Sequence, residues 1–413
     1  MRFINSSAVL IAVLLAGELA ARSRNTDPDR KPVDKLIELA QMGHATAQTR
    51  LGNSYYTGAY GVKNDFEQAT HWFEKAAAQN NAQAQFNLGI CYEKGQGVKK
   101  DVNRALEYYM KAGDQGLELG QVNAAITLQE FRRYEEAGEY FRLAAAQGNV
   151  WSQREYGRSL VEGKTVGKNS ALGVEYLEQA AVRGDLPAQV FLAECYAGNH
   201  EDIPADPERM IELLWQAASS NSPPAQYQIG YCYENAISVH KDTGMAVNWY
   251  RKAANQGYAA AMISLGRCFA IGKGAPQNTG IAFKWYERAA ALNLPDGLYH
   301  IGLCYANGFG TTVNNTKAFE HLLRAADAGH PDAQYELATF YQEGKAGAAD
   351  ADQAFRWYKE ASEQAHARAC SALAYCYLKG IGTPVDEAAA RRFFEKATEH
   401  NHNDAIRALK TLF

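Results

Sequence analysis

One nine-residue segment recurs at intervals of 36 residues, and this repeat constrains the fold more than any other feature of the sequence. The copies occupy residues 225–233, 261–269, 297–305 and 333–341. Each copy is followed by a second block, in which an alanine precedes an aromatic pair and two further alanines, as in residues 246–254. Further copies begin near residues 45, 82, 149, 185 and 366, which gives about ten repeats.

Equivalent positions in these copies predict that each repeat is a pair of α-helices. The first block has an apolar position, then a small one, and an aromatic residue four positions after the apolar one, as in Leu88, Gly89 and Tyr92. Apolar residues at i and i+4 share one helical face, and a small residue lets a neighbouring helix approach closely. Glycines such as Gly95 and Gly97 suit the turn between the helices because they tolerate positive φ.

The starts of the second helices are marked by polar residues that can act as N-caps. These predicted N-caps are Asp65, Asp101, Asp206, Asn278 and Asp386, with Pro207 at a first helical position. One hairpin cannot bury both of its faces, so neighbouring hairpins must stack. The sequence therefore predicts an all-α solenoid over residues 45–401, with 117–148 as a shorter, degenerate copy and 402–413 as a C-terminal capping helix.

The N-terminus carries the only targeting pattern. Arg2 precedes an apolar run from Ala8 to Gly17, which is typical of a signal peptide and too short to span a bilayer. We expect a signal peptide over residues 1–21, followed by a linker and capping helix over 22–44. Glu18 stands where a bacterial lipoprotein would carry its lipidated cysteine. This predicts a periplasmic or secreted protein without membrane insertion after cleavage; the alternative is a buried or frayed N-terminal helix.

The segment Ala82–Asp101, together with residues 249–257, resembles the Sel1-like repeat family. This family is similar to the tetratricopeptide repeat but has a longer loop between its helices. The resemblance covers roughly residues 35–413. It implies a right-handed α-α superhelix with a concave face, and an adaptor or scaffold role with no specified partner.

The cysteines depart from one branch of that family, in which paired cysteines form a disulfide in each repeat and which is linked to penicillin binding. Here most repeats carry one cysteine, at Cys91, Cys195, Cys232, Cys268, Cys304 and Cys376, with Cys370 as the exception. Equivalent positions on stacked helices lie roughly 9–10 Å apart, whereas a disulfide needs Cα atoms within about 7 Å. We therefore expect small, buried thiols.

The sequence offers no convincing catalytic or cofactor-binding pattern. It has no phosphate-binding loop preceded by a strand, no His-Glu-x-x-His motif and no nucleophile elbow. His400 and His402 are two residues apart and would diverge on a helix, so we predict no metal site. A net charge of −4 argues against nucleic-acid binding. The prediction is a protein that is not an enzyme and uses no cofactor.

A variable set of side chains on the first helices is the candidate partner-binding surface. Two slots per repeat, four residues apart, lie off the recurring apolar face and vary widely. By analogy with tetratricopeptide arrays, these slots line the concave face, and Tyr and Arg are common interface anchors. The candidates are Phe86, Arg154, Arg158, Tyr227, Tyr231, Arg267, Tyr299, Tyr335 and Tyr375. The alternative is that these side chains pack against adjacent repeats.

These observations predict an exported, monomeric scaffold or adaptor that binds a protein partner, such as an extended peptide segment, on its concave face. Two alternatives remain open at this stage. One is a cell-envelope enzyme or a protein that binds β-lactams or peptidoglycan. The other is a periplasmic regulator of a membrane sensor.

Overall fold

The computed structural model describes residues 32–399 and 402–412, in which 22 α-helices and one π-helical turn account for all regular structure. The all-α solenoid predicted from the repeats is confirmed. The helices are α1 (Pro32–Gln41), α2 (Ala45–Thr57), α3 (Phe66–Ala78), α4 (Ala82–Lys94), α5 (Val102–Asp114), α6 (Glu118–Glu130), α7 (Tyr134–Ala146), α8 (Val150–Glu162), α9 (Ser170–Val182), α10 (Leu186–Glu194), α11 (Pro207–Ser219), α12 (Pro223–Asn235), α13 (Thr243–Asn255), α14 (Ala259–Ile271), α15 (Thr279–Ala290), α16 (Pro295–Asn307), α17 (Asn315–Asp327), α18 (Pro331–Glu343), α19 (Ala351–Glu363), α20 (Ala367–Lys379), α21 (Glu387–Glu399) and α22 (Asn403–Leu412).

The chain divides into two compact units. The described part of the N-terminal unit comprises residues 32–192 and 200–204, and that of the C-terminal unit comprises 193–199, 205–399 and 402–412. Within each unit, consecutive helices pack against one another. The predicted degenerate copy still forms a helix pair, α6 and α7, joined by only three residues, 131–133. The predicted signal peptide lies outside the described residues. No helix in the described part of the chain has the length and apolar composition needed to cross a membrane.

The second helices begin where their N-caps predict. All five predicted caps accept a hydrogen bond from the backbone N–H three residues later, at N···O distances of 2.8–3.1 Å. Pro207 occupies the first turn of α11, as expected. These caps satisfy donors that would otherwise have no partner at a helix N-terminus, which is why the helix starts are fixed locally.

Where the loop between the two helices of a repeat carries a pair of glycines with positive φ, the two glycines have different roles. Gly95 ends α4 in the left-handed region, at φ +70°, and its N–H donates to the Cys91 carbonyl. Gly97 also has positive φ, but it lies against the start of α3, where a Cβ would overlap the Phe66 carbonyl oxygen. The same overlap occurs for Gly274, Gly310 and Gly382 against the first residue of the preceding second helix. The second glycine therefore allows the loop of one repeat to rest on the repeat before it.

The small slot of the first helix permits the predicted close approach of helices. A Cβ at Gly89 would lie 2.6 Å from Cε1 of Tyr109 and 3.2 Å from the Ala105 carbonyl oxygen. Gly230 stands in the same relation to Tyr250. Interiors pack too densely to leave room for another methyl group at such a contact. The prediction of close helix packing at this slot is therefore confirmed.

In several repeats a buried glutamine links the first helix to the helix before it. Nε2 of Gln226 donates to the Ala218 carbonyl at 3.3 Å, and its Oε1 accepts from Nε2 of Gln256 at 2.8 Å. Gln334 makes the same pair of contacts with Ala326 and Gln364. Buried amides must be hydrogen-bonded, and this pattern explains why a polar residue recurs inside the solenoid.

All seven cysteines are buried and carry free thiols. The prediction of small, buried thiols is confirmed. Burial raises the pKa of the Cys91 and Cys232 thiols to about 11. Thiols of this kind are poor nucleophiles at neutral pH, because the reactive species is the thiolate.

Candidate protein-interaction surface

The side chain in the first of the two variable slots contacts the residue just before the next first helix, 31 residues later. The contacts are Tyr227 with Tyr258 (ring centroids 5.5 Å apart), Tyr299 with His330 (4.6 Å), Tyr335 with His366 (5.3 Å), and Arg154 Nη1 with Asp185 Oδ2 (2.8 Å). Three of these slots also contact the second helix of their own repeat, through Phe86 with Tyr109, Tyr227 with Tyr250, and Tyr335 with Tyr358. Side chains in this slot therefore pack between neighbouring repeats as well as facing outward.

Phe86 is a correction to the sequence-based surface. Its side chain is only 4% exposed, and its ring lies 5.7 Å from that of Tyr109 in the core of the N-terminal unit. Ile90, one turn later, is also buried. The residues around Phe86 cover the slot, so this side chain is part of the core and not of a contact surface.

Five of the candidates are partly buried and show one edge to solvent: Arg154, Tyr227, Tyr299, Tyr335 and Tyr375. Tyr375 packs edge-on against Phe394, at 5.0 Å, and has the Lys379 ammonium 5.6 Å from its ring centroid. These residues combine a packing role with a surface role, so the alternative of packing against adjacent repeats holds in part.

Tyr231, Arg267 and Arg158 are the exposed candidates. Tyr231 is 46% exposed and Arg267 is 53% exposed, and both lie in the second slot of neighbouring first helices in the C-terminal unit. Arg158, in the N-terminal unit, donates to Glu162 at 2.8 Å and lies over the Phe191 ring. Tyrosine and arginine are both enriched among the residues that contribute most to protein interfaces.

Arg267 is held in place by a buried carboxylate that the sequence did not single out. Glu234 accepts hydrogen bonds from Tyr250 Oη at 2.6 Å and Lys273 Nζ at 2.8 Å, and Arg267 Nη2 lies at 3.3 Å. Burial acts to raise the pKa of Glu234, but the bonds from Lys273 and Tyr250 and the charge of Arg267 hold it below its usual value. The recurrence of this glutamate–tyrosine pair could have revealed Glu234, because Glu93 accepts a hydrogen bond from Tyr109 as Glu234 does from Tyr250.

A second cluster lies on α18 and α20. Arg368 Nη2 donates to Asp332 Oδ1 at 3.1 Å, its Nη1 lies 3.6 Å from Glu336 Oε1, and its guanidinium lies 4.7 Å from the Tyr335 ring centroid. His366 Nε2 lies 3.1 Å from the same Asp332 oxygen, while its Nδ1 accepts from the Ala369 N–H. Burial acts to raise the pKa of Asp332, but His366 and Arg368 hold it below its usual value.

His300 is a partly buried titratable group close to this surface. Its ring stacks on Tyr286, with centroids 4.8 Å apart and planes 10° apart. Burial lowers the pKa of His300 to about 4, because a low-dielectric environment disfavours the charged imidazolium. Elsewhere, the described residues contain no group of three or more His, Cys, Asp or Glu side chains placed to hold a metal ion.

Comparison with protein families gives one result. The family model described as Sel1 repeat matches ten segments: residues 45–81, 82–117, 132–149, 152–185, 186–222, 223–258, 259–294, 295–330, 331–366 and 367–402. These segments together cover most of the chain.

The chain is also similar to individual proteins. The chitin synthase regulator SKT5 of Saccharomyces cerevisiae is 27% identical over 237 residues, which are 55% of this chain and 30% of that protein. The DAP3-binding cell death enhancer 1 of Rattus norvegicus is 26% identical over 247 residues, which are 59% and 41% of the two chains. The aligned region thus spans less than half of these two relatives.

Among solved structures, c5321 is similar over nearly its whole length. It is described as a protective antigen present in uropathogenic Escherichia coli strains displaying an SLR fold. The two chains are 28% identical with a TM-score of 0.64, and the match covers 92% of this chain and 90% of that one.

Proposed function

The chain belongs to the Sel1 repeat family, and from this premise we propose that it is an exported, non-enzymatic scaffold that binds a protein partner through its first helices. Similarity to a regulator and to a DAP3-binding protein supports a scaffold role. The observation that carries the proposal is the exposure of Tyr231 and Arg267. The neighbouring positions along their helices are buried and hold the same residue types from repeat to repeat. Exposed side chains in variable slots are available to a partner, and tyrosine and arginine are common interface anchors.

The proposed binding surface can be tested by replacing its exposed residues together. We expect the Tyr231→Ala/Arg267→Ala double variant to lose most partner capture in a cross-linked pull-down, because both side chains leave the surface. Tyr227 is left intact, since it packs on Tyr250 and Tyr258 and its removal would disturb the fold.

A Tyr134→Ala/Arg251→Ala variant serves as the matched control. Tyr134 is as exposed as Tyr231, and Arg251 is also exposed, but both lie on second helices. Circular dichroism should show that both variants are folded. Recovery of the same partners at the same yield by wild type and by the Tyr231/Arg267 variant would refute the proposed surface.

The proposed export rests on the N-terminal pattern around the Ala8–Gly17 apolar run. If the full chain is expressed in a Gram-negative bacterium, we expect it in the periplasmic fraction, with a mature N-terminus at Arg22. N-terminal sequencing of the purified protein measures this directly. A chain found in the cytoplasm with its first residues intact would contradict export while leaving the scaffold role untouched.

A further inference from the structure

Two first helices of the C-terminal unit are capped by histidine side chains. His366 precedes α20, and its Nδ1 accepts a hydrogen bond from the Ala369 N–H at 3.1 Å. His330 precedes α18, and its Nδ1 accepts from the Ala333 N–H at 3.2 Å. Histidine is the side chain whose charge ordinarily changes between pH 5 and 8, so these two helix starts depend on groups that can titrate.

The other ring nitrogen of each histidine contacts an aspartate. His366 Nε2 lies 3.1 Å from Asp332 Oδ1, and His330 Nε2 lies 3.2 Å from Asp296 Oδ1. Because Nδ1 acts as an acceptor, the proton of the neutral imidazole is on Nε2, which donates to the carboxylate. The two imidazole side chains are only 12% and 11% exposed. Each cap therefore requires one tautomer of the neutral ring.

Protonation removes the cap, because an imidazolium donates from both nitrogens and has no acceptor left. The added charge would also lie at the N-terminus of a helix, where the helix dipole is positive. Burial lowers the pKa of His366 below its usual value, although the contact with Asp332 acts to raise it. A lowered folded pKa means that the stabilisation is present above about pH 6.5 and is lost as the pH falls further.

The titratable and charged groups that face the two imidazoles come from α16, α18 and α20. They are Asp296, Tyr299, His300, Asp332, Tyr335 and Arg368. Asp332 stays ionised near pH 5 to 7, because His366 and Arg368 hold its pKa below its usual value. Arg368 and the second histidine both repel an imidazolium at His366. The charge of Asp332 is therefore constant while the histidines titrate.

The two histidine rings also support tyrosines of the candidate surface. The His366 ring lies 5.3 Å from the Tyr335 ring, and the His330 ring stacks on Tyr299 at 4.6 Å. We propose that His330 and His366 form a pH-sensitive switch, which frees the first turns of α18 and α20 and loosens Tyr299 and Tyr335 as the solution becomes acidic. The switch concerns the folded chain alone and does not depend on the proposed partner.

Hydrogen exchange of single alanine amides tests the switch. In the full chain labelled with ¹⁵N-alanine, the exchange rates of Ala333 and Ala369 are divided by their intrinsic rates at about pH 7.5 and about pH 5. We expect their protection to fall about fivefold, the factor that corresponds to loss of one N-cap. Ala84 is the internal control, because its N–H donates at 2.9 Å to the side-chain oxygen of Asn81, which does not titrate in this range.

An asparagine at each cap separates the switch from other effects of acid. Asn81 caps α4 at the equivalent position, so His366→Asn should fold and keep Ala369 protected at both pH values. His330→Asn should do the same for Ala333. His300 is present in every variant, so its titration does not produce a difference between them.

The histidine side chains provide a second readout. In ¹⁵N NMR spectra at about pH 7.5, we expect the proton of His330 and His366 on Nε2, and the protection of each alanine should change with the same midpoint as its ring. Equal loss of protection at Ala84, Ala333 and Ala369 would overturn the proposal, as would a loss that persists in the asparagine variants. Unchanged protection in the wild type would overturn it as well.

Discussion

Replacing Gly274 with alanine is expected to destabilise the C-terminal unit by about 3–5 kcal/mol. Gly274 has φ +75°, which alone costs an alanine about 1 kcal/mol. Its Cβ would also overlap the backbone carbonyl of Thr243, the first residue of α13. A backbone oxygen cannot move aside as a flexible side chain can, so the loop after α14 must separate from the preceding repeat.

The effect should be local, because repeat proteins unfold through nearest-neighbour units. Hydrogen exchange should therefore show lost protection in α13, α14 and α15 before other helices, together with a lower thermal midpoint. Gly257→Ala is the matched control: Gly257 has φ +91° but no atom within 4 Å of its would-be Cβ. We expect a cost of about 1 kcal/mol there. Equal losses in the two variants would show that backbone strain, and not loop contact, explains the recurring glycine.

Acidification from pH 6.5 to about 4 is expected to remove up to about 3 kcal/mol of stability through His300 alone. Burial lowers the pKa of His300 from 6.5 to about 4 in the folded chain. A lowered folded pKa means that the stabilisation is fully present above pH 6.5 and is lost as the pH falls toward 4. Protonation beside the Tyr286 ring would place the charged imidazolium where it is poorly hydrated, so it favours the unfolded state.

The measurement is the free energy of unfolding of the C-terminal unit from pH 7 to 4, for wild type and for His300→Gln. Gln228 occupies the equivalent position two repeats earlier, so glutamine fits this slot. The charged groups around His300 are Asp296, Asp332, Arg267 and His330, and they are present in both proteins.

Neighbouring carboxyls contribute in other ways. Burial raises the pKa of Glu336, so protonation of Glu336 stabilises the fold on acidification. This gain opposes the loss of stability through His300. The pKa of Asp332 is lowered, so its stabilisation is lost only below about pH 4. Both effects are the same in the two proteins and cancel when the unfolding free energy of His300→Gln is subtracted from that of wild type. This difference should fall steadily from pH 6.5 to 4. A difference that stays constant with pH would contradict a buried, neutral His300.

Much of the candidate surface could be inferred from residue types and spacing, but the exposure of each member could not. The sequence predicts Tyr227, Tyr231 and Arg267 as surface residues because their slots vary while neighbouring positions repeat. Phe86 occupies the same kind of slot as Tyr227, yet it is buried. The pair of Glu234 and Tyr250 is marked in the sequence only by its recurrence as Glu93 and Tyr109, because an acidic residue near a helix end does not by itself indicate burial.

The sequence by itself determined the elements of this protein: where helices start, where glycine ends them, and which residues face the core. These features depend on contacts within one helix or one loop, and ten copies repeat them, so local chemistry suffices. Only the tertiary structure decided which variable side chains reach solvent. That outcome depends on the side chain 31 or 33 residues away with which each one packs, as when Tyr258 contacts Tyr227 and Arg368 covers the ring of Tyr335.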